Sequence, residues 1–99
     1  MTNDTNQPDD AGTLPIVIYT TMFCPFCHRA KHLLNKKAVR YKEIDVTLRP
    51  VERLAMREKA SGRNTVPQIF IGQIHVGGCD DLFALERDGR LDGLLKGAL

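Results

Sequence analysis

The sequence predicts an α/β fold: a small four-stranded mixed sheet with helices on both faces, in the order β-α-β-α-β-β-α. Two patterns carry this expectation. A β-branched apolar run at Ile16 to Thr20 is followed by a helical period and then by a second strand-like stretch, the pattern of a parallel βαβ crossover. Two further apolar runs, residues 67–71 and 74–76, stand on either side of Gly72-Gln73, the spacing of an antiparallel hairpin. One mixed sheet with helices packed on it is the simplest way to bury both halves.

Taken in order, Ile16-Val17-Ile18-Tyr19-Thr20 has turn signals on both sides and reads as a buried strand. Pro25 suits the first position of a helix, where its missing N–H removes no hydrogen bond, and this makes Cys24 the expected N-cap. Along that helix Phe26, Ala30, Leu33 and Leu34 form the apolar face, and Arg29, Lys31, His32 and Lys36 the solvated one. Residues 40–46 alternate and suit the second strand. Pro50 opens a second helix through Val51, Leu54, Ala55 and Met56, which Ser61-Gly62 stops. After the hairpin, Gly77-Gly78 breaks the last strand. Asp80-Asp81 then set negative charge at the start of a third helix carried by Leu82, Phe83 and Leu85. Residues 91–99 are expected to add a short final helix.

A length of 99 residues is about one domain. Residues 15–99 are assigned to it, and residues 1–14, poor in apolar side chains, to a disordered N-terminal tail. The formal charge is only +2, but that tail holds three acids and no base, so the domain carries fourteen bases against nine acids. The bases are scattered among only six aromatics, so a solvated basic surface is expected and a nucleic-acid partner is not. The surplus mildly attracts anionic small molecules. Apolar runs are far shorter than the roughly 20 residues of a membrane span, and the polar, acidic start carries no secretory signal. Three cysteines are odd in number and too few for a secreted disulfide scaffold. A cytoplasmic monomer without membrane association is expected.

Cys24-Pro25-Phe26-Cys27 is the most informative stretch. A sulfur at the start of a helix meets unpaired N–H groups and partial positive charge, which favour the thiolate, and the thiolate is the nucleophile. Cys27, one turn on, can donate a hydrogen bond to Cys24 and close a disulfide with it. A depressed pKa is therefore expected for Cys24, with Cys27 more buried. Three other readings compete. A zinc site would use this pair with His28 or His32, but a second ligand pair is missing. The string through His28 also matches c-type haem attachment, which needs export and a distal axial ligand. Two inert core cysteines would be an odd way to fill a strand-to-helix junction. No metal ligand is assigned.

Three segments together resemble the signatures of a dithiol glutaredoxin of the small bacterial type: residues 19–28 around the cysteine pair, residues 61–72 containing Thr65-Val66-Pro67, and Gly77-Gly78-Cys79-Asp80-Asp81-Leu82. The resemblance spans about residues 15–95. It implies the thioredoxin fold and glutathione-dependent reduction of glutathionylated thiols and protein disulfides. Cys24 would be the nucleophile and Cys27 the resolving cysteine, with glutathione as co-substrate and no tightly bound cofactor. Glutathionylated or disulfide-containing proteins would be the other partners. It further implies a cis peptide bond before Pro67, turning the Val66 backbone outward to pair with an extended cysteinyl peptide. The glutathione-binding set implied is Phe26, Thr65, Val66, Pro67, Gly78, Cys79 and Asp80. Gly77-Gly78 would let the backbone approach the ligand, and the N–H groups of Cys79 and Asp80 would face a carboxylate. Asp80 would pair with an ammonium, alongside its plainer role in helix capping.

Departures from the pattern also count. Thr21 stands where members often carry Lys, Leu54 where many carry Gln or a base, and Phe26 where Tyr is common. Glutathione affinity is therefore expected to be weaker than in a member with the full pattern. Arg53, Arg57 and Arg63 are the alternatives for the missing positive charge. Some members instead bridge a [2Fe–2S] cluster as dimers, usually with Gly at the position of Pro25, which speaks against that role here. Cys79 reads as a small residue where the backbone passes the ligand, with an oxidisable regulatory thiol as the alternative. His28, His32 and His75 are expected to face solvent without a role.

Overall fold

The computed structural model describes residues 13–97. Its elements are β1 (Ile16–Thr20), α1 (Pro25–Lys36), β2 (Lys42–Asp45), α2 (Pro50–Lys59), β3 (Gln68–Ile71), β4 (Ile74–Gly77), α3 (Cys79–Arg87) and α4 (Leu91–Leu95). They build one four-stranded sheet in the order β2-β1-β3-β4. β1 and β2 are parallel, with Val17 beside Lys42. β1 and β3 are antiparallel, with Ile18 beside Ile69, and β3 and β4 form the hairpin, irregular between Ile69 and Phe70. The expected mixed sheet and element order are those observed.

Alternation along β1 decides which helix lies where. Ile16 and Ile18 point to one face, where they are buried with Ala30, Leu33 and Leu34 of α1, Leu82 of α3 and Leu91, Leu94 and Leu95 of α4. Tyr19 points to the other, with Val46 and Met56 of α2 and the half-buried Val17, Ile44 and Phe70 around them. The two clusters are the two layers that a three-layer α/β sandwich requires. Buried polar side chains are matched. Thr20 donates to Glu43 (2.7 Å), which also holds Lys31 at 2.9 Å. Burial tends to push the Glu43 carboxyl up, but the bonds from Thr20 and Lys31 outweigh it and hold it low.

Several boundaries differ from the sequence expectation. The second strand is shorter, residues 42–45, and the final helix ends at Leu95, while residues 98–99 lie outside the described part. Most of the assigned tail, residues 1–12, also lies outside the described residues. Leu14, however, belongs to the fold. Its N–H donates to Leu95 O (2.8 Å) and its side chain packs on the larger core cluster. A single apolar residue next to a polar run gives no periodicity that separates it from the tail.

Leu34 is fully buried in the larger cluster. Leu34→Ala should lower unfolding free energy by about 3 kcal/mol, seen as a fall in the urea midpoint with little change in m-value.

Candidate active site

The site begins where β1 ends. Pro25 is the first residue of α1 and Cys24 its N-cap, in an extended conformation at φ −138° and ψ 94°. The Cys27 N–H donates to Cys24 Sγ at 3.1 Å, so the sulfur occupies the place a capping oxygen would take. Cys24 and Cys27 are joined in a disulfide, with Cα atoms 5.2 Å apart. Cys27 is the more buried, 1% exposed against 6% for Cys24, as the sequence predicts. Phe26 is different. The helical period predicts it on the apolar face of the helix, yet it is 53% exposed, and Cys27 takes the inward position. Among the residues of the first turn only Cys27 is buried.

The second component is the segment before β3. The Val66–Pro67 peptide bond is cis, and Val66 O lies 3.8 Å from Cys24 Sγ. The third is the start of α3, where Gly78 is the N-cap, and Cys79 and Asp80 open the helix with N–H groups that have no intrahelical partner. These segments enclose a shallow cleft of about 150 Å³. Phe26, Thr65, Val66, Pro67, Gly78, Cys79 and Asp80 all line it. Every residue singled out in the sequence for the ligand is thus on one surface, next to the cysteine pair.

Two further lining residues, Arg63 and Asp81, were not assigned to the site. Asp81 accepts the Gly78 N–H (2.8 Å) and pairs with Arg63 (3.2 Å). The bond from Gly78 is the main reason its carboxyl is held below the usual range, with Arg63 adding to it. The signal was present as an acid at the third position of a helix with a glycine cap. Arg63 was one of three arginines considered. Arg53 instead donates to Asn64 (2.9 and 2.6 Å), bracing the loop that leads to Thr65, and Arg57 is exposed.

The paired glycines have separate reasons. Gly77 has φ +115°, and a Cβ there would strike the Asp81 carboxylate and come 2.8 Å from Arg63 Nη1. Gly78 has ordinary backbone angles, and a Cβ would make only normal contacts, 3.5 Å from Pro67 O, on the cleft wall. Cys79 is buried, and burial pushes its thiol pKa up. His28 and His32 are exposed as expected. His75 is not: it is half-buried, stacked on Phe70, with Nε2 2.7 Å from Gln68 Oε1. Gln68 is fully buried and donates to Thr65 Oγ1 (3.2 Å), which ties His75 to the cleft wall. Its place on a hairpin edge gave no hint of this partner across the sheet. Burial holds the His75 pKa low. Among the described residues no cluster of three His, Cys, Asp or Glu side chains is placed to hold a metal ion.

A family model described as Glutaredoxin matches residues 16–76. The chain is 58% identical over 82 residues to a glutaredoxin of Pseudomonas aeruginosa, covering 83% of this chain and 96% of that one. The structure is similar to the solution structure of glutaredoxin from Brucella melitensis, with a TM-score of 0.78 and 53% identity over 90% of this chain and 96% of that chain. It is also similar to a buckwheat glutaredoxin–glutathione complex, with a TM-score of 0.77 and 30% identity over 96% of this chain and 87% of that one.

Asp81→Ala removes the acceptor for Gly78 and the partner of Arg63. It should cost about 1 kcal/mol at neutral pH. The depressed Asp81 pKa means this stabilisation is complete above the unfolded carboxylate value of about 3.9 and is lost as pH falls through the folded value. Urea unfolding of both proteins should therefore give a gap that is full at pH 7 and closes in strong acid.

Proposed function

The chain belongs to the glutaredoxin family and is a glutathione-dependent thiol–disulfide oxidoreductase of thioredoxin fold, and we propose that Cys24 and Cys27 divide its two routes of turnover between them. The observation that carries this is the position of Cys24 Sγ, at a helix N-terminus, with the Cys27 N–H aimed at it and the cleft alongside. Both features favour a thiolate once the disulfide is reduced.

On a glutathionylated substrate the Cys24 thiolate attacks the glutathione sulfur. The substrate sulfur leaves and takes up a proton, and a Cys24–glutathione disulfide remains. A second glutathione thiolate attacks the glutathione sulfur of that adduct, giving glutathione disulfide and restoring Cys24. On a protein disulfide the mixed disulfide with Cys24 is instead attacked by Cys27. The second protein thiol leaves, and the Cys24–Cys27 bond that forms is reduced by two glutathione molecules.

The cleft fits glutathione group by group. Val66, beside Cys24 Sγ, offers backbone groups to the cysteinyl unit, as one strand does to another. The free N–H groups of Cys79 and Asp80 meet the γ-glutamyl carboxylate, the exposed Asp80 side chain meets its ammonium, and Arg63 adds a cation. Phe26 and Pro67 supply apolar walls, and Thr65 a hydroxyl held by Gln68. Glutathione is a co-substrate here and no resident cofactor is needed. The protein acts, in this reading, as a monomer on glutathionylated or disulfide-bonded proteins. Turnover draws on reduced glutathione, which supports a reducing compartment, the cytoplasm. No helix among the described residues is long and apolar enough to cross a membrane.

In a glutathione-coupled assay Cys24→Ser should have no activity on either substrate class. Cys27→Ser should keep deglutathionylation and lose protein-disulfide reduction, and full activity of the Cys24 variant would overturn the mechanism. Gly78→Ala puts a methyl group on the cleft wall without backbone strain. Its apparent glutathione KM should rise about fivefold, with folding stability near wild type.

A further inference from the structure

His75 takes no part in the reactions above, yet its surroundings hold it tightly. Cross-strand pairing sets it opposite Phe70, on the same face of the sheet as Gln68 two residues earlier. Its ring stacks on Phe70, with centroids 4.8 Å apart and planes 23° from parallel, so the imidazole cannot turn freely. In that plane Nε2 meets Gln68 Oε1, 2.7 Å away. The Gln68 side chain is fully buried, and its amide nitrogen donates to Thr65 Oγ1 at 3.2 Å. With that nitrogen committed to Thr65, the amide oxygen faces the ring, and His75 Nε2 must carry the proton between them. The row of donors therefore runs one way, from His75 to Gln68 to Thr65. It ends on an exposed residue of the cleft wall. His75 is near the cleft in a second respect: the charges of Arg63 and Asp81 both act on its imidazole.

We propose that His75 is a positioning residue for glutathione: by donating to Gln68 it fixes the direction of this row and leaves the Thr65 hydroxyl proton free for the cleft. The proposal rests on the reading of that cleft as the glutathione site. A carboxamide turned over keeps its shape and exchanges its oxygen for its nitrogen. Turned over, Gln68 would accept the Thr65 hydroxyl proton and withdraw it from the cleft. The carboxylate and carbonyl oxygens of glutathione would then lose a donor at Thr65. His75 opposes that turn. While Nε2 carries its proton, a turned amide would set two N–H groups against each other, in a buried place that offers neither a second acceptor. The bond thus selects which of two arrangements the cleft presents, besides satisfying a buried amide.

The test is a mutant cycle on the apparent glutathione KM. His75→Phe keeps a ring to stack on Phe70 and removes the donor. Thr65→Val removes the hydroxyl with little change of shape. Each should raise KM about fivefold, the loss of one hydrogen bond, and in His75→Phe kcat should stay near wild type. The double variant should be no worse than Thr65→Val alone, because both substitutions act through one proton. His75→Gln carries an amide donor to the place of Nε2 and should restore the wild-type KM. An unchanged KM in His75→Phe, effects that multiply to about 25-fold in the double variant, or no rescue by His75→Gln overturns the proposal. Nitrogen-15 NMR of the wild-type imidazole reads the direction of the row without any substitution. A proton on Nε2 supports the proposal, and a bare Nε2 overturns it. Gly78→Ala separates the proposal from the reading beneath it. A raised KM there with none in His75→Phe overturns the role of His75 alone, whereas no rise in either variant counts against the cleft as well.

Discussion

Cys24 Sγ accepts the Cys27 N–H only because α1 starts one residue after Cys24, and that single contact sets the terms for the rest of the molecule. Pro25 selects the starting point, but the helix stays there because of Ala30, Leu33 and Leu34, buried against Ile16 and Ile18 of the strand that leads into the site. Strand and helix are thus held by one cluster at their middles and meet at their ends. A shift of the helix by one residue would bury a solvated side chain and turn the sulfur away from the free N–H groups. β3 lies directly beside β1, so the Val66–Pro67 segment that precedes it arrives at the same edge. The reactive geometry is a property of the core, read out at the surface.

A second helix start, that of α3, lies across the cleft from the first. Asp81 satisfies the Gly78 N–H and holds Arg63, leaving the next amides facing the cleft. Gly77 is required because the carboxylate and guanidinium occupy the space of its missing side chain. Capping, an ion pair and a left-handed glycine are one arrangement, and it pairs the Asp81 carboxylate with an amide and a guanidinium in the cleft wall.

Much of this was legible in the sequence because it depends on local rules. Pro25 after Cys24, the alternation in β1 and Gly72-Gln73 in the hairpin each act within a few residues. Resemblance carried the ligand set, and the cleft brings all of that set together. What escaped depends on partners distant in sequence. Leu14 is held by Leu95, His75 by Gln68 across the hairpin, and Arg63 by Asp81. Helical periodicity puts Phe26 on the apolar face but does not say whether that face is covered so close to the helix start, and Phe26 is exposed there. The exposure of Leu48 was equally hidden, since an apolar residue before a helix looks the same whether it faces the core or water.

Cys79 stands in the wall of a cleft where sulfur–sulfur bonds are exchanged, yet its thiol is buried and its pKa raised by that burial. Exchange proceeds through thiolates, and the raised pKa keeps Cys79 in the less reactive thiol form. The chain therefore separates its three sulfurs by their bonding: one capping a helix start with an amide aimed at it, one joined to it in a disulfide, and one in the cleft wall with its thiol pKa raised. A catalyst of disulfide exchange can carry a spare thiol this close to its own chemistry and not become its own substrate.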